Sequence, residues 1–216
     1  MDMRVIAVPV KSLSRAKTRL APALSPLERA ALTLAMMEDV LDATQSVPGW
    51  ETWVISPDEA VLEVTARRGA TPIPEARPPL AAAVRQVEEE AGARGVTQLA
   101  VLLADVPLAT PPALIAALST LGPVVLAPSR RDGGTNLLLR RPPRAIPARF
   151  GRDSYRRHRE SATARGLPAS VVDDPALAFD LDLPEDIDAV LASSAKGRTR
   201  ASLERLRAGA RLPAHP

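Results

Sequence analysis

QLAVLLAD, residues 98–105, decides how the fold is read. Its apolar run, Leu99 to Ala104, is the clearest buried strand in the chain, and its polar break falls at the end, on Asp105. A carboxylate closing a buried strand is costly unless it is paired or bound to a metal. On the N-terminal side, PLAAAVRQVEEEAGARG reads as a helix, with Pro79 near its first turn and Gly95 near its end. TPIP and TWVIS (52–56) read as strands on either side of a short helix, DEAVLEVTARRG. Further back, SPLERAALTLAMMEDVLDATQSV carries Ser25 as N-cap, Pro26 at the first helical position and Glu28 closing a capping box. Leu27, Ala31, Leu34, Met37 and Leu41 recur there at spacings of three and four, the period of an amphipathic helix. MRVIAVP (3–9) reads as the first buried strand.

On the C-terminal side, a helix opens at TPPALIAAL, followed by a strand PVVLAPS, a turn RRDGG and a strand TNLLLRR. SYRRHRESATARGL reads as a helix, ASVVDD and ALAFDLD as strands, and PEDIDAVLA as a last helix. Strands alternating with helices imply an α/β fold, with helices on both sides of a mostly parallel sheet. The turn at Asp132-Gly133 makes the later part of the sheet mixed. From about Ser193 the chain becomes basic and poor in core residues, a peripheral helix or tail.

Composition sets limits on function. The 216 residues are enough to bury a sizeable core, and contain 46% hydrophobic and 25% charged residues. No apolar run is long enough for a membrane span. The opening MDMRVIAVPVK has too short an apolar segment for a signal peptide, so a cytoplasmic protein is expected. There is no cysteine, which excludes disulfides, thiolate metal sites and a cysteine nucleophile. The net charge is only +3, and two Trp, two Phe and one Tyr offer few platforms for stacking bases. Small anionic substrates fit this balance better than a stable nucleic-acid partner.

Three constellations could carry chemistry. VPVKSLSRAKTRLAP (8–22) holds two of the three lysines, Lys11 and Lys17, together with Arg15 and Arg19. Ligands of open α/β sheets bind beyond the carboxyl ends of the strands, so a cationic loop after the first strand could cradle a polyphosphate. It is not a P-loop or a Rossmann fingerprint, because residues 9–24 contain no glycine. The bland alternative is a solvated basic loop. The second constellation is Asp105 with Asp180 and Asp182. The last two, read as strand residues two apart, would share a face, and oxygen donors of this kind suit Mg2+. A structural alternative makes Asp182 the cap of the helix at Pro184. The third is RDGGTN (131–136) with FGRDS (150–154), two small polar loops, one preceding a helix whose N-cap is Asp153 or Ser154. They could bind a second anion, or be an ordinary turn and a plain cap. His158, in an arginine-rich helix, and His215 are expected to be exposed rather than catalytic, and no G-x-S-x-G elbow supports a hydrolase.

In this order, VPVKSLSRAKTRLAPALSPLERAALTLAMMEDVL, LLADVPLATP, DGGTNLLL, FGRDSYRRH and DLDLPEDI resemble the 2-phospho-L-lactate or phosphoenolpyruvate guanylyltransferases of coenzyme F-420 biosynthesis. The KxLxxAKTRL block is specific, whereas DxP and DxDxPED are shared with sugar-nucleotide and molybdenum-cofactor nucleotidyltransferases. The resemblance implies a single Rossmann-like nucleotidyltransferase domain over 1–193, a three-layer α/β/α arrangement, with a basic C-terminal helix or tail over 194–216. It implies GTP and a small three-carbon phospho-acid as substrates, pyrophosphate as co-product and Mg2+ as cofactor, in a monomer or homodimer. By motif, Lys11, Lys17 and Arg19 would meet the triphosphate. Thr135, Gly151 and Ser154 would hold the phospho-acid, and Asp105 with Asp180 or Asp182 would hold Mg2+. Lys17, Arg19 and Asp105 would form the catalytic set. One departure stands out: the family commonly carries Gly-Leu-Asn where this chain reads Pro79-Leu80-Ala81, which removes an asparagine expected to touch the nucleotide. The competing readings are another Mg-dependent nucleotidyltransferase, a glycosyltransferase using Asp180-Leu-Asp182 as its DxD, and a non-catalytic nucleotide or RNA-binding module.

Overall fold

A computed structural model describes residues 2–76 and 78–209. His215 and the end of the basic tail lie outside the described residues. Seven strands form one sheet: β1 Met3–Pro9, β2 Glu51–Ser56, β3 Thr71–Pro74, β4 Val96–Leu102, β5 Val124–Pro128, β6 Thr135–Arg140 and β7 Ala169–Val171. Their order is β3-β2-β1-β4-β6-β5-β7. Only β6 runs antiparallel to its neighbours, pairing Leu102 with Leu137 on β4 and Val125 with Leu139 on β5. The helices are α1 Pro26–Gln45, α2 Glu59–Arg67, α3 Leu80–Ala93, α4 Pro111–Ser119, α5 Ser154–Thr163, α6 Pro175–Ala178, α7 Pro184–Ala192 and α8 Arg198–Ala208.

The pleat sends alternate side chains to opposite faces, and both faces are covered. Ile6, Val8, Ala100 and Leu102 pack with Met37, Val40 and Leu41 of α1 and Leu114 of α4. Their neighbours Val5, Ala7, Leu99 and Val101 pack against Val84, Val87 and Ala91 of α3. At the other end of the sheet, Val124, Leu126 and Leu138 meet Ala162 of α5. The result is the expected mixed, mostly parallel three-layer fold. It explains why β4 reads as an unbroken apolar run with no polar side.

Two expectations are corrected. The apolar stripe of α1 holds at Leu34, Met37 and Leu41 but not in its first turns, where Leu27 is 80% exposed and Ala31 is also exposed. Leu32 and Met36 are buried instead, because α7 and α8 cover α1 on the side away from the sheet, through Ile187, Val190 and Leu203. Ion pairs Arg198–Asp42 and Arg207–Asp188 fasten α8 there. ALAFDLD is not a strand. It is the short α6 followed by irregular chain, since Asp174 caps a helical turn through Ala176 N and Leu177 N. The capping box at Ser25 and Glu28 is present as expected. Leu203 has no exposed surface, so Leu203→Ala should lower unfolding free energy by about 2–4 kcal/mol, read from urea denaturation midpoints, as buried Leu→Ala changes do.

Candidate active site

Strand order reverses between β1 and β4, which places the topological switch point of the sheet there. The chain leaving β1 makes two single-turn 3-10 helices, Leu13–Arg15 and Thr18–Leu20, with Lys17 between them in the left-handed region at φ 51°. Such a backbone costs a non-glycine residue about 1 kcal/mol or more. Its consequence is that Lys17 turns inward, its side chain only 8% exposed. Lys17 Nζ donates to Asp105 Oδ2 at 2.8 Å and to Asp182 Oδ1 at 3.2 Å, and Arg19 donates to Asp182 Oδ2 at 2.9 Å. Burial disfavours the Lys17 ammonium, but the two carboxylates outweigh it and hold the group above the usual lysine value. Burial likewise opposes ionisation of Asp105, and Lys17, with help from Lys11, still holds it below the usual carboxylate range.

Asp105 lies three residues past β4, on the loop leaving the same edge. Its backbone carbonyl accepts from Leu181 N at 2.9 Å, which ties the Asp180–Asp182 segment beside it. Asp182 is not the cap of α7: that work falls to Asp186, which accepts from Asp182 N and Leu183 N at 2.9 and 2.8 Å and pairs with Arg131. This frees the Asp182 carboxylate to face Lys17. Asp180 points elsewhere, accepting from Ser129 Oγ at 2.8 Å, and burial, together with the nearby Asp105 and Asp132, raises its pKa. The three aspartates therefore do not share one face, because the segment is not a strand. Among the described residues no group of three or more His, Cys, Asp or Glu side chains is arranged to hold a metal. Asp105 Oδ1, buried and without a partner, is the spare oxygen at this point.

Lys11, Arg15, Lys17, Thr18, Arg19, Asp105 and Asp182 line a cleft of about 280 Å³, closed on its apolar side by Met36 of α1 and Leu80 of α3. This is the low end of ligand-pocket size, enough for the charged part of a nucleotide. Leu80 belongs to the Pro79-Leu80-Ala81 stretch, which forms the start of α3.

The second anion candidate adjoins the carboxylates because β6 is antiparallel. The chain runs up β5 and re-enters the sheet at Thr135, on the edge where β4 ends, and Leu103 N donates to Asn136 O at 3.0 Å. In the turn, Gly133 has φ +66°, a backbone that favours glycine, and a Cβ on Gly134 would displace the Asp132 carboxylate, whose Oδ1 accepts from Gly134 N at 2.8 Å. Thr135 and Ser154 are buried side by side, Ser154 Oγ donating to Thr135 Oγ1 at 3.2 Å. Gly151 sits in the left-handed region at φ +112° just before α5. Asp153 is the N-cap of α5 but makes no side-chain cap bond. The helix N-terminus is less open than expected, for Ser154 N donates to Gly151 O and Tyr155 N to Gly133 O.

His158 corrects another expectation, being fully buried. Its Nδ1 lies 3.0 Å from Thr135 Oγ1, and its Nε2 accepts from Arg149 N at 2.8 Å. The missed signal was spacing: Ser154, His158 and Ala162 recur every four residues and share the inner face of α5, hidden in sequence by the flanking arginines. Burial first, then Arg140, Arg157 and Arg149, push its pKa from 6.5 down to about 3.

The switch-point cleft thus joins cations on the loop after β1 to one carboxylate from the loop after β4 and one from the segment before α7, a charge pattern suited to a nucleotide's phosphates. A solved structure from Desulfovibrio desulfuricans, described as a nucleotide-diphospho-sugar transferase, shares the fold, with a TM-score of 0.81 and 19% identity over 96% of both chains. The family model described as "Guanylyl transferase CofC like" matches residues 3–212, and the chain belongs to this family. Phosphoenolpyruvate guanylyltransferase of Sphaerobacter thermophilus is 42% identical over 85% of this chain and 90% of its own. 2-Phospho-L-lactate guanylyltransferase of Haloarcula marismortui is 41% identical over 88% and 86%. 3-Phospho-D-glycerate guanylyltransferase of Phenylobacterium zucineum is 39% identical over 89% and 91%.

The neutral, buried His158 predicts a pH effect on stability. Between about pH 6.5 and 3 only the unfolded chain protonates it, so its contribution to stability is lost as pH falls, by up to about 1.4 kcal/mol per unit. His158→Asn should flatten that part of the dependence of unfolding free energy on pH, measured by urea titration, relative to the native protein.

Proposed function

We propose that the chain transfers a guanylyl group from GTP to a three-carbon phospho-acid, phosphoenolpyruvate or 2-phospho-L-lactate, releasing pyrophosphate, as a cytoplasmic enzyme of coenzyme F-420 biosynthesis. The observation that carries this is the Lys17 ammonium shared by Asp105 and Asp182 at the switch point, in a chain whose relatives are guanylyltransferases for such acids. Lys11, Lys17 and Arg19 meet the triphosphate, and Thr135, Gly151 and Ser154 hold the acid.

Asp105 and Asp182 would hold Mg2+. The partnerless Asp105 Oδ1 fits it, and one or two carboxylates completed by substrate phosphates are the usual set for this ion. Bound there, Mg2+ would neutralise charge on the phosphates that the basic loop also contacts. Asp180, turned towards Ser129, would have to swing away from it to join Asp105 and Asp182 as a third oxygen ligand. A phosphate oxygen of the acid attacks the α-phosphorus of GTP in line. The new P–O bond forms as the bond to the β-phosphate oxygen breaks, and pyrophosphate leaves with that electron pair. The nucleophile is already an anion, so no general base is needed. The obstacle is repulsion between two polyanions, and positioning and fixed positive charge offset it. Lys17 suits this role because it is already desolvated, and a compact mobile ammonium can move from carboxylate to phosphate.

The test is a pyrophosphate-release panel crossing four nucleoside triphosphates with phosphoenolpyruvate, 2-phospho-L-lactate and 3-phosphoglycerate in the presence of Mg2+. Release is expected with GTP and one of the first two acids. No release with any pair, or release of a nucleoside diphosphate from a sugar nucleotide instead, would overturn the reading. Lys17→Ala should lower kcat by about 100-fold or more, the scale of losing one charge-stabilising donor, while circular dichroism shows a folded protein. Near-normal turnover at saturating GTP would remove Lys17 from the mechanism.

A further inference from the structure

We propose that His158 is a positioning residue whose tautomer turns the Thr135–Ser154 hydroxyl pair into a hydrogen-bond donor for the anionic acid; this rests on the assignment of Thr135, Gly151 and Ser154 to that substrate. The inference comes from counting protons. Arg149 N donates to His158 Nε2 at 2.8 Å, so Nε2 carries a lone pair and the single proton of the neutral ring is on Nδ1. Nδ1–H then donates to Thr135 Oγ1, 3.0 Å away. The contact between Ser154 and Thr135 uses one hydroxyl hydrogen. The pair owns two, so whichever residue donates across that contact, one O–H is left without an acceptor among the described residues. With the proton on Nε2 instead, Thr135 would donate to the ring and Ser154 to Thr135, and nothing would remain for a ligand.

The surroundings enforce the productive arrangement. The ring is buried, with Phe150 packed edge-on at 5.4 Å. The guanidinium groups of Arg140, Arg149 and Arg157 oppose a second proton. The same positive charge favours an anion at the hydroxyls. Two amides at the start of α5 are already committed to Gly151 O and Gly133 O, which leaves this buried hydroxyl as the donor there without an acceptor among the described residues. His158 touches neither substrate nor reacting atoms; it sets the direction of a hydrogen bond that does.

Three measurements test this. Nitrogen-15 NMR of the native protein should show His158 in the Nδ1-protonated tautomer throughout the neutral pH range; the Nε2-protonated form would overturn the proposal. In steady-state pyrophosphate release with phosphoenolpyruvate varied at saturating GTP, His158→Leu should raise the KM for the acid about tenfold or more and leave the KM for GTP within about twofold. His158→Asn, whose amide N–H can replace Nδ1–H, should recover most of that loss. An unchanged acid KM in a folded His158→Leu, an equal rise in the KM for GTP, or no recovery in a folded His158→Asn would overturn the proposal. Calorimetric titration of phosphoenolpyruvate separates this inference from the reaction itself. If the native protein binds the acid but releases no pyrophosphate, the reaction assigned above fails and the variants are judged by the same fold-changes in Kd. If it neither binds nor reacts with phosphoenolpyruvate or, in the same titration, 2-phospho-L-lactate, both fail.

Discussion

The ammonium of Lys17 lies between two carboxylates that are 88 and 165 residues away from it in sequence, and much of the local structure serves to hold it there. On one side, a left-handed backbone between two 3-10 turns points the lysine inward. On the other, Leu181 N on Asp105 O and Asp186 on the backbone of Asp182 and Leu183 hold the acidic groups in place. Removing Lys17 would leave both carboxylates without their shared cation, a cost moderated by solvent because Asp105 and Asp182 are 30% and 29% exposed. Lys17 and Arg19 pair with Asp105 and Asp182, and Lys11 and Arg15 leave the cleft lining with an excess of positive charge. Each group is held by another that phosphate or a cation can replace.

The sheet explains why the two candidate anion sites lie close together. A purely parallel sheet would start β6 at the far edge. Its reversal starts β6 at the edge where β1 and β4 end, and so places Thr135 near Asp105. The loop from Ser129 to Gly134 also touches the acidic segment, through Ser129 on Asp180 and Arg131 on Asp186. One irregular stretch thereby links the two sides of the cleft.

Much of the architecture was readable because it rests on local rules. The capping box at Ser25 and Glu28 forms as expected, β1 spans the predicted residues, and α7 begins and ends where PEDIDAVLA does. The errors fall where a distant element decided the outcome. Leu27 belongs to the right helix but to the wrong face, because α8, more than 150 residues later, covers the opposite side. Asp180 and Asp182 were placed on one face because a strand period was assumed, and the Asp174 cap made a helical turn instead. His158 looked exposed because arginines surround it in sequence, yet a helix hides every fourth residue as readily as it displays the others.

The sequence by itself determined most of the elements, the fold class and the residue types at the cleft. These follow from hydrophobic period, capping chemistry and the scarcity of lysine, which all act over a few residues. Tertiary structure alone decided which carboxylates share Lys17, that Asp186 and not Asp182 closes α7, and on which nitrogen His158 carries its proton. The reason is physical. Charge pairing and proton position depend on distances of about 3 Å between groups far apart in the chain, and such distances exist only once the sheet has brought those groups together.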